Sequence, residues 1–167
     1  MQATDPTSLT DRVQRLEDRQ AITQLVAQLG RMLDEKRFGD ARTILADDIT
    51  VRTPGGESHG PDAVAAQARR THTVNTHHAI SDVLIDLDGD RARIRANLIA
   101  TFAPDRPGAR LVVGDAEHPD SYFTLGEVYR FEAVRTGDGW RLSRIETERA
   151  WSSHALTGRP TVGQTAD

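Results

Sequence analysis

Cysteine is absent from this chain of 167 residues, which excludes disulfide bonds, thiolate nucleophiles and sulfur-ligated zinc sites. An excess of positive charge is also missing, because 21 Lys and Arg residues stand against 25 Asp and Glu residues and the net charge is −4. A protein that binds nucleic acid neutralises phosphates with a cationic surface. We therefore expect no nucleic-acid partner.

Long apolar segments are lacking as well. No run approaches the roughly 18 apolar residues of a membrane-spanning helix, and the opening MQATDPTSLTDR lacks the basic end and apolar core of a secretory signal peptide. We expect a soluble, cytoplasmic protein with no membrane partner. Its 18.4 kDa suffices to bury the core of a single domain.

The first part of the chain has the apolar periodicity of helices. Apolar residues recur at intervals of three and four over residues 9–33, which predicts a long amphipathic helix with a break near Asp18. Asp5 and Pro6 are placed to begin it. Shorter helices are predicted over residues 40–46 and 60–70.

The remainder alternates apolar and polar residues, as strands do. The predicted strands cover residues 48–53, 57–59, 76–87, 92–102, 122–134 and 140–151. Helices followed by hairpin-connected strands predict an α+β domain over residues 9–152, with the long helix on one face of the sheet. Residues 104–121 predict a long loop that could act as a lid. Residues 1–8 and 153–167 are expected to be flexible ends.

Four segments carry a resemblance to a known family, namely LDEKRFGDARTILADDITVRTPGGESHGPDAV, THHAISDVLIDLDGDRA, GEVY and VRTGDGWRLSRI. In this order they resemble the SnoaL-like branch of the nuclear transport factor 2-like superfamily, which includes proteins similar to polyketide cyclases and scytalone dehydratase. The resemblance implies a cone-shaped half-barrel, in which a curved mixed or antiparallel sheet and the long helix enclose an apolar pocket for a small-molecule substrate. It also implies a homodimer or higher homo-oligomer. It does not fix the activity, because the superfamily contains both enzymes and binding domains.

The resemblance assigns general acid/base chemistry to Asp34 and His78. Dehydratase-like and dehydrochlorinase-like relatives carry an aspartate at the position of Asp34 that orients a catalytic histidine, which the family spacing places at His78. An imidazole with a pKa of about 6.5 is suited to proton removal at neutral pH. The alternative for Asp34 is a solvated acid near a helix end, and for His78 a strand histidine satisfied by a backbone carbonyl.

Strict alternation through the Gly89 turn would place His77, rather than His78, on the face of Ala92. A bulge within residues 79–82 would exchange the two histidines. The resemblance favours His78, and His77 remains the alternative. Because neighbouring strand residues point oppositely, the two cannot readily share a metal, and the remaining histidines show no zinc spacing. We expect no metal and no cofactor.

Further candidate contacts to a substrate are Tyr129, Asn97, Tyr122 and Trp140. Core packing is the alternative for Tyr129 and the favoured role for Trp140. Glu127 and Arg130 are weaker candidates.

Three known catalytic patterns of the superfamily are incomplete in this chain. The second histidine of scytalone dehydratase falls at Ala96, the base of the ketosteroid isomerases falls at Thr53, and the lysine of the dehydrochlorinases falls near Leu29. The prediction is therefore a cofactor-independent lyase, cyclase or isomerase that acts on an apolar, oxygenated small molecule such as a polyketide-like or aromatic intermediate. The alternative is a non-catalytic small-molecule-binding or accessory domain.

Overall fold

The computed structural model describes residues 8–54, 56–106, 111–113, 116–118 and 122–153. The helices are α1 (Leu9–Asp34), α2 (Ala41–Ile44) and α3 (Pro61–Thr71), with a 3-10 turn at Phe38–Asp40. The strands are β1 (Leu45–Thr53), β2 (Gly56–His59), β3 (Asn75–Asp88), β4 (Arg91–Ala103), β5 (Leu111–Val113), β6 (Ala116–His118), β7 (Phe123–Thr136) and β8 (Gly139–Ser152). Among the residues of these ranges, no helix has the length and apolar character needed to cross a membrane.

The start of α1 is fixed by a capping box. The Ser8 hydroxyl accepts a hydrogen bond from the Asp11 backbone N–H at 3.1 Å, and the Asp11 carboxylate accepts one from the Ser8 N–H at 3.2 Å. This reciprocal pair satisfies two backbone donors that the helix itself leaves free. Asp5 and Pro6, the predicted start, lie outside the described residues.

The helix continues through Asp18, so the predicted break is wrong. Oδ1 of Asp18 accepts hydrogen bonds from Trp140 Nε1 at 3.1 Å and Gln14 Nε2 at 3.2 Å, and Oδ2 accepts one from the Arg135 guanidinium at 2.6 Å. Burial by itself raises the pKa of Asp18, but these hydrogen bonds outweigh it and the pKa is lowered. The charged Asp18 is thereby accommodated within the apolar face of α1, and its hydrogen bonds to Arg135 and Trp140 connect α1 to β7 and β8.

The main sheet has six strands in the order β2-β1-β8-β7-β4-β3 and does not close into a barrel. β1 runs parallel to β8, and the other neighbouring strands are antiparallel. Most apolar residues of α1 pack with the inward-facing residues of β4, β7 and β8 in one core. The predicted α+β fold with a long N-terminal helix is confirmed.

Two details differ from the prediction. The second helix ends at Ile44 rather than at residue 46, because Leu45 already has extended backbone angles and begins β1. The predicted loop over residues 104–121 contains a two-stranded hairpin of β5 and β6. Residues 107–110, 114–115 and 119–121 of that loop, and the terminal segments 1–7 and 154–167, lie outside the described part of the chain.

A bulge in β3 decides which histidine faces α1. The pairing of β3 with β4 shifts between Ser81 and Leu84, slightly beyond the predicted range of 79–82. Asp82 takes a left-handed backbone angle of φ 51° there, and its carboxylate accepts a hydrogen bond from the Asn97 side chain at 2.6 Å. The extra residue reverses the alternation, so that His78 lies on the same side as the partly buried Val83.

Candidate functional site

Asp34 and His78 are in direct contact at one end of the sheet. His78 Nδ1 lies 2.6 Å from Asp34 Oδ1, and the His78 backbone N–H donates to Asp34 Oδ2 at 2.9 Å. The Thr76 hydroxyl donates to Oδ1 at 3.0 Å. Because the carboxylate holds the ring at Nδ1, the proton resides on that nitrogen and Nε2 keeps its lone pair. The contact thus presents His78 in a proton-accepting tautomer.

The position of Asp34 explains why it needs these contacts. It is the last residue of α1, where the negative end of the helix dipole disfavours an acid. Burial raises the pKa of Asp34, but the hydrogen bonds from the His78 ring, the His78 backbone and Thr76 outweigh it, so the pKa is lowered. Asp34 is therefore a carboxylate near neutral pH, able to stabilise a positive charge on His78.

A second imidazole, that of His72, stacks beside the first. The ring centroids of His72 and His78 are 5.2 Å apart. His72 Nδ1 lies 3.1 Å from the Ala68 carbonyl oxygen, which can only accept, so Nδ1 carries the proton of the neutral ring. Burial lowers the pKa of His72 to about 4, helped by positive charge on His78. His72 is thus a neutral ring at neutral pH.

An apolar cavity of about 430 Å³ lies between the sheet and the helices. This volume is within the range of small-molecule sites. Its apolar walls come from α1, α3 and the inner face of the sheet, and include Leu29, Met32, Val64, Phe102, Phe123 and Ile145. His72 lines the cavity, whereas Asp34 and His78 are not among the residues that line it. The His78 side chain is only 3% exposed and packs against His72 and Phe102.

Four polar side chains from β7 and β8 also line the cavity, namely Glu127, Tyr129, Thr147 and Arg149. They form two cross-strand pairs, Glu127 with Arg149 and Tyr129 with Thr147. Burial raises the pKa of Tyr129, and the negative charges of Glu127 and Asp34 raise it further, so the phenol keeps its proton. Tyr129 can therefore donate a hydrogen bond to a ligand oxygen.

The structure separates the other predicted contacts from this cavity. His77 is 81% exposed, although Nδ1 lies 3.8 Å from Asp34 Oδ2. Asn97 faces the opposite side of the sheet, because its neighbour Ala96 is fully buried, and it binds Asp82. Tyr122 is exposed and does not line the cavity. Trp140 is buried in the Asp18 network instead. Asn97, Tyr122 and Trp140 therefore do not line this cavity, and Trp140 has the structural role that its sequence position favoured.

Five polar residues of the cavity were missed by the sequence reasoning, namely Gln67, Thr71, His72, Thr147 and Arg149. His72 was considered only as a metal ligand, and its place at the end of α3 gave no sign that it would stack on His78. The alternation of β8 puts Thr147 and Arg149 on the side of the buried Ile145, which is the signal that could have found them. In the described part of the chain, no three His, Asp or Glu side chains are grouped as metal ligands.

The model of the SnoaL-like domain family matches residues 14–146, so the chain belongs to this family of the nuclear transport factor 2-like superfamily, as the sequence resemblance predicted. No curated protein matches the sequence.

Solved structures share the fold. The Kfla4162 protein from Kribbella flavida is 27% identical, with a TM-score of 0.72 over 84% of this chain and 96% of that one. A scytalone dehydratase-like protein from Novosphingobium aromaticivorans is 20% identical, with a TM-score of 0.68 over 83% and 88% of the two chains. LinA is 18% identical, with a TM-score of 0.71 over 84% and 91%. These likenesses show that the chain shares the fold of these neighbours.

Proposed function

We propose that this protein is a lyase, cyclase or isomerase that uses its own side chains to move a proton on an apolar, oxygenated small molecule. The observation that carries the proposal is the contact between His78 Nδ1 and the carboxylate of Asp34 at 2.6 Å, next to an apolar cavity. A histidine oriented by a carboxylate is the arrangement of a general base, and here the carboxylate is partly buried. The proposed substrate is a polyketide-like or aromatic intermediate.

In the proposed reaction, His78 Nε2 takes a proton from a carbon next to a carbonyl group of the substrate. The C–H bonding electrons pass into an enolate, while Asp34 stabilises the imidazolium that forms. The protonated Tyr129 hydroxyl donates to the enolate oxygen. The proton returns from His78 to the same molecule, either at another carbon or at a departing hydroxyl group.

Contact with a substrate requires movement of the cavity wall, because His72 and Phe102 lie between the cavity and His78. We propose that a ligand displaces the His72 ring, which is held at Nδ1 by the Ala68 carbonyl and the Thr71 hydroxyl. This closed arrangement keeps water from the His78 ring when no ligand is bound.

The test is proton exchange, because it measures proton removal before the products of elimination, cyclisation or isomerisation differ. The bicyclic ketone 2-tetralone is incubated with the protein in D2O, and deuterium incorporation next to the carbonyl is followed by NMR. Asp34→Asn and His78→Asn are each expected to lower the protein-dependent exchange rate about 100-fold or more.

Matched controls replace residues of the same type on the surface. The Asp47 side chain is 99% exposed and that of His59 is 69% exposed, so Asp47→Asn and His59→Asn are expected to exchange at the wild-type rate. Wild-type protein that does not accelerate exchange above the rate of the two site variants would contradict the proposal.

A non-catalytic binding domain is the second candidate, and the burial of His78 behind the cavity lining favours it. In that case the Asp34–His78 contact only joins the end of α1 to β3. A binding domain would show no protein-dependent exchange of 2-tetralone. In it, Asp34→Asn would lower the free energy of unfolding and leave ligand affinity unchanged.

A further inference from the structure

A polar patch of the cavity is formed by Glu127, Tyr129, Thr147 and Arg149. Of these four residues, only Tyr129 takes part in the proposed proton transfer. Glu127 is unusual because it is a carboxylate with 8% of its surface exposed in an otherwise apolar cavity. A buried carboxylate requires hydrogen-bond donors to offset its lost hydration. The number of donors that reach Glu127 therefore shows whether its carboxylate can still accept a hydrogen bond from a ligand.

Glu127 is incompletely satisfied. Arg149 Nε and an Arg149 terminal nitrogen approach Oε1 at 3.3 and 3.4 Å, which are long distances for such bonds, and Arg149 itself is partly exposed. No described residue donates a hydrogen bond to Oε2. One carboxylate oxygen therefore keeps its full capacity to accept a donor.

The neighbouring hydroxyl of Thr147 is unsatisfied as well. Its Oγ1 is buried and has no hydrogen-bond partner within the described part of the chain. A buried hydroxyl without a partner is unfavourable, and natural structures contain few of them. Thr147 and Glu127 are diagonal neighbours across the β7–β8 ladder and lie on the same face of the sheet. Rotation of the buried Thr147 hydroxyl toward the cavity would let a single ligand group contact both side chains.

We propose that this patch is a subsite for a neutral hydroxyl group on the ring system of the ligand, such as a phenol. A hydroxyl donates to Glu127 Oε2 and has a lone pair free for Thr147 Oγ1. A ligand carboxylate at the same place would be repelled by the negative charge of Glu127. Arg149 would offset this repulsion only in part, because it already pairs with Glu127. The subsite thus selects a hydroxyl over a methoxy group, which cannot donate, and over a carboxylate.

The subsite is separated from the proposed base by a ligand-sized distance. His78 pairs with Ala100, and Ala100 pairs with Leu125, so Glu127 lies two strands across and two residues along the sheet. Typical strand spacing and rise place the two backbone positions about 12 Å apart, and their side chains project toward the same interior. A molecule of two fused rings spans this interval. The inference deepens the proposed function and rests on it for the identity of the ligand as a substrate.

The experiment measures direct binding of 2-naphthol, 2-methoxynaphthalene and 2-naphthoate by calorimetry at pH 7.5. Wild-type protein is expected to bind 2-naphthol about tenfold more tightly than either of the other two compounds, because a hydrogen bond to a charged group is retained only by the hydroxyl. Wild-type affinities that are equal for 2-naphthol and 2-methoxynaphthalene, or no binding of 2-naphthol, would overturn the subsite.

Glu127→Gln removes the charge at nearly constant volume. It is expected to weaken the preference for 2-naphthol several-fold and to improve 2-naphthoate binding about tenfold, because the repulsion is gone and Arg149 is freed. Glu132→Gln, an exposed position on the same strand, is the matched control and should bind like wild type. Retention of the wild-type selectivity by Glu127→Gln would refute the assignment of Glu127.

Thr147→Val separates binding from folding. This nearly isosteric change removes an unsatisfied hydroxyl, so the melting temperature is expected to rise while the affinity for 2-naphthol falls about threefold. A purely structural role would not couple greater stability to weaker binding, and unchanged affinity would remove Thr147 from the subsite.

Failure of the subsite and failure of the proposed function are distinguishable. The binding series is repeated in His78→Asn, which is expected to keep the hydroxyl preference because His78 is not part of the subsite. A preserved preference together with no exchange of 2-tetralone would mean that the cavity binds hydroxylated rings without turnover. Exchange without any hydroxyl preference would leave the chemistry standing and overturn the subsite.

Discussion

Protonation of His72 is expected to destabilise the fold at mildly acidic pH. Burial and the neighbouring charge of His78 lower the pKa of His72 to about 4 in the folded protein, against 6.5 for an exposed histidine. Between these two pH values the unfolded chain binds a proton that the folded chain does not. The contribution of the neutral His72 ring to the free energy of unfolding is therefore fully present above pH 6.5 and is lost as the pH falls toward 4.

The size of this effect follows from the width of the interval. One proton bound only by the unfolded state changes the free energy of unfolding by about 1.4 kcal/mol per pH unit. Across an interval of about 2.5 pH units the contribution of His72 reaches about 3 kcal/mol. This is a large share of the 5–15 kcal/mol by which typical domains are stable.

The assay is urea denaturation of wild type and His72→Asn at several pH values from 7.5 to 4.5. This range stays above the lowered pKa of Asp34, so loss of that carboxylate contributes little. The asparagine keeps a side-chain donor for the Ala68 carbonyl but cannot become charged in this range. His72→Asn is expected to be less stable than wild type at pH 7.5 and to lose about 3 kcal/mol less as the pH falls.

The control is His59→Asn, whose parent side chain is 69% exposed and which should keep the pH dependence of wild type. A His78→Asn variant is expected to lose part of the pH dependence, because the positive charge beside His72 is removed. If His72→Asn and wild type lose stability in parallel between pH 7.5 and 4.5, the fold does not hold this ring neutral and the reasoning is refuted.

Two further predictions concern the frame around the site. Asp18→Asn removes the carboxylate that accepts the 2.6 Å hydrogen bond of Arg135, and should lower the free energy of unfolding by about 2 kcal/mol in urea titrations; an unchanged midpoint would deny this network a role in stability. Gly126→Ala places a methyl group where the Trp151 ring lies, so the free energy of unfolding should fall by about 1–3 kcal/mol and the native Trp151 fluorescence should be lost. The control is Gly39→Ala, whose methyl group meets open space and which should fold normally.

The helices and hairpins were predictable because their causes are local. The apolar spacing of α1 and the Asp88-Gly89 turn between β3 and β4 depend only on neighbouring residues. Asn97 was predicted as a ligand contact although the alternation of Ile94, Ala96 and Leu98 already places it on the opposite face of the strand, which the burial of Ala96 agrees with. The resemblance, rather than periodicity, selected His78.

The candidate site depended on contacts between distant segments. Trp140 was a candidate ligand contact, but its indole N–H donates a hydrogen bond to Asp18, which is 122 positions away in the chain. Glu127 and Arg149 meet only because β7 and β8 pair with shifts in register, which no turn sequence specifies. His72 acquires its lowered pKa from burial against His78, and burial exists only after the chain has folded.

The sequence by itself determined the α+β class, because periodicity and turn residues are local properties of the chain. Its resemblance to the SnoaL-like family indicated the family and led to the prediction of Asp34 and His78. The tertiary structure decided that the Asp82 bulge turns His78 toward Asp34, that the His72 ring stacks on His78, and that Glu127 and Thr147 lie beside the same cavity. It also left the buried Thr147 hydroxyl without a hydrogen-bond partner among the described residues. Hydrogen bonds, desolvation and cavity shape arise between segments far apart in the chain, and they exist only once those segments are packed together.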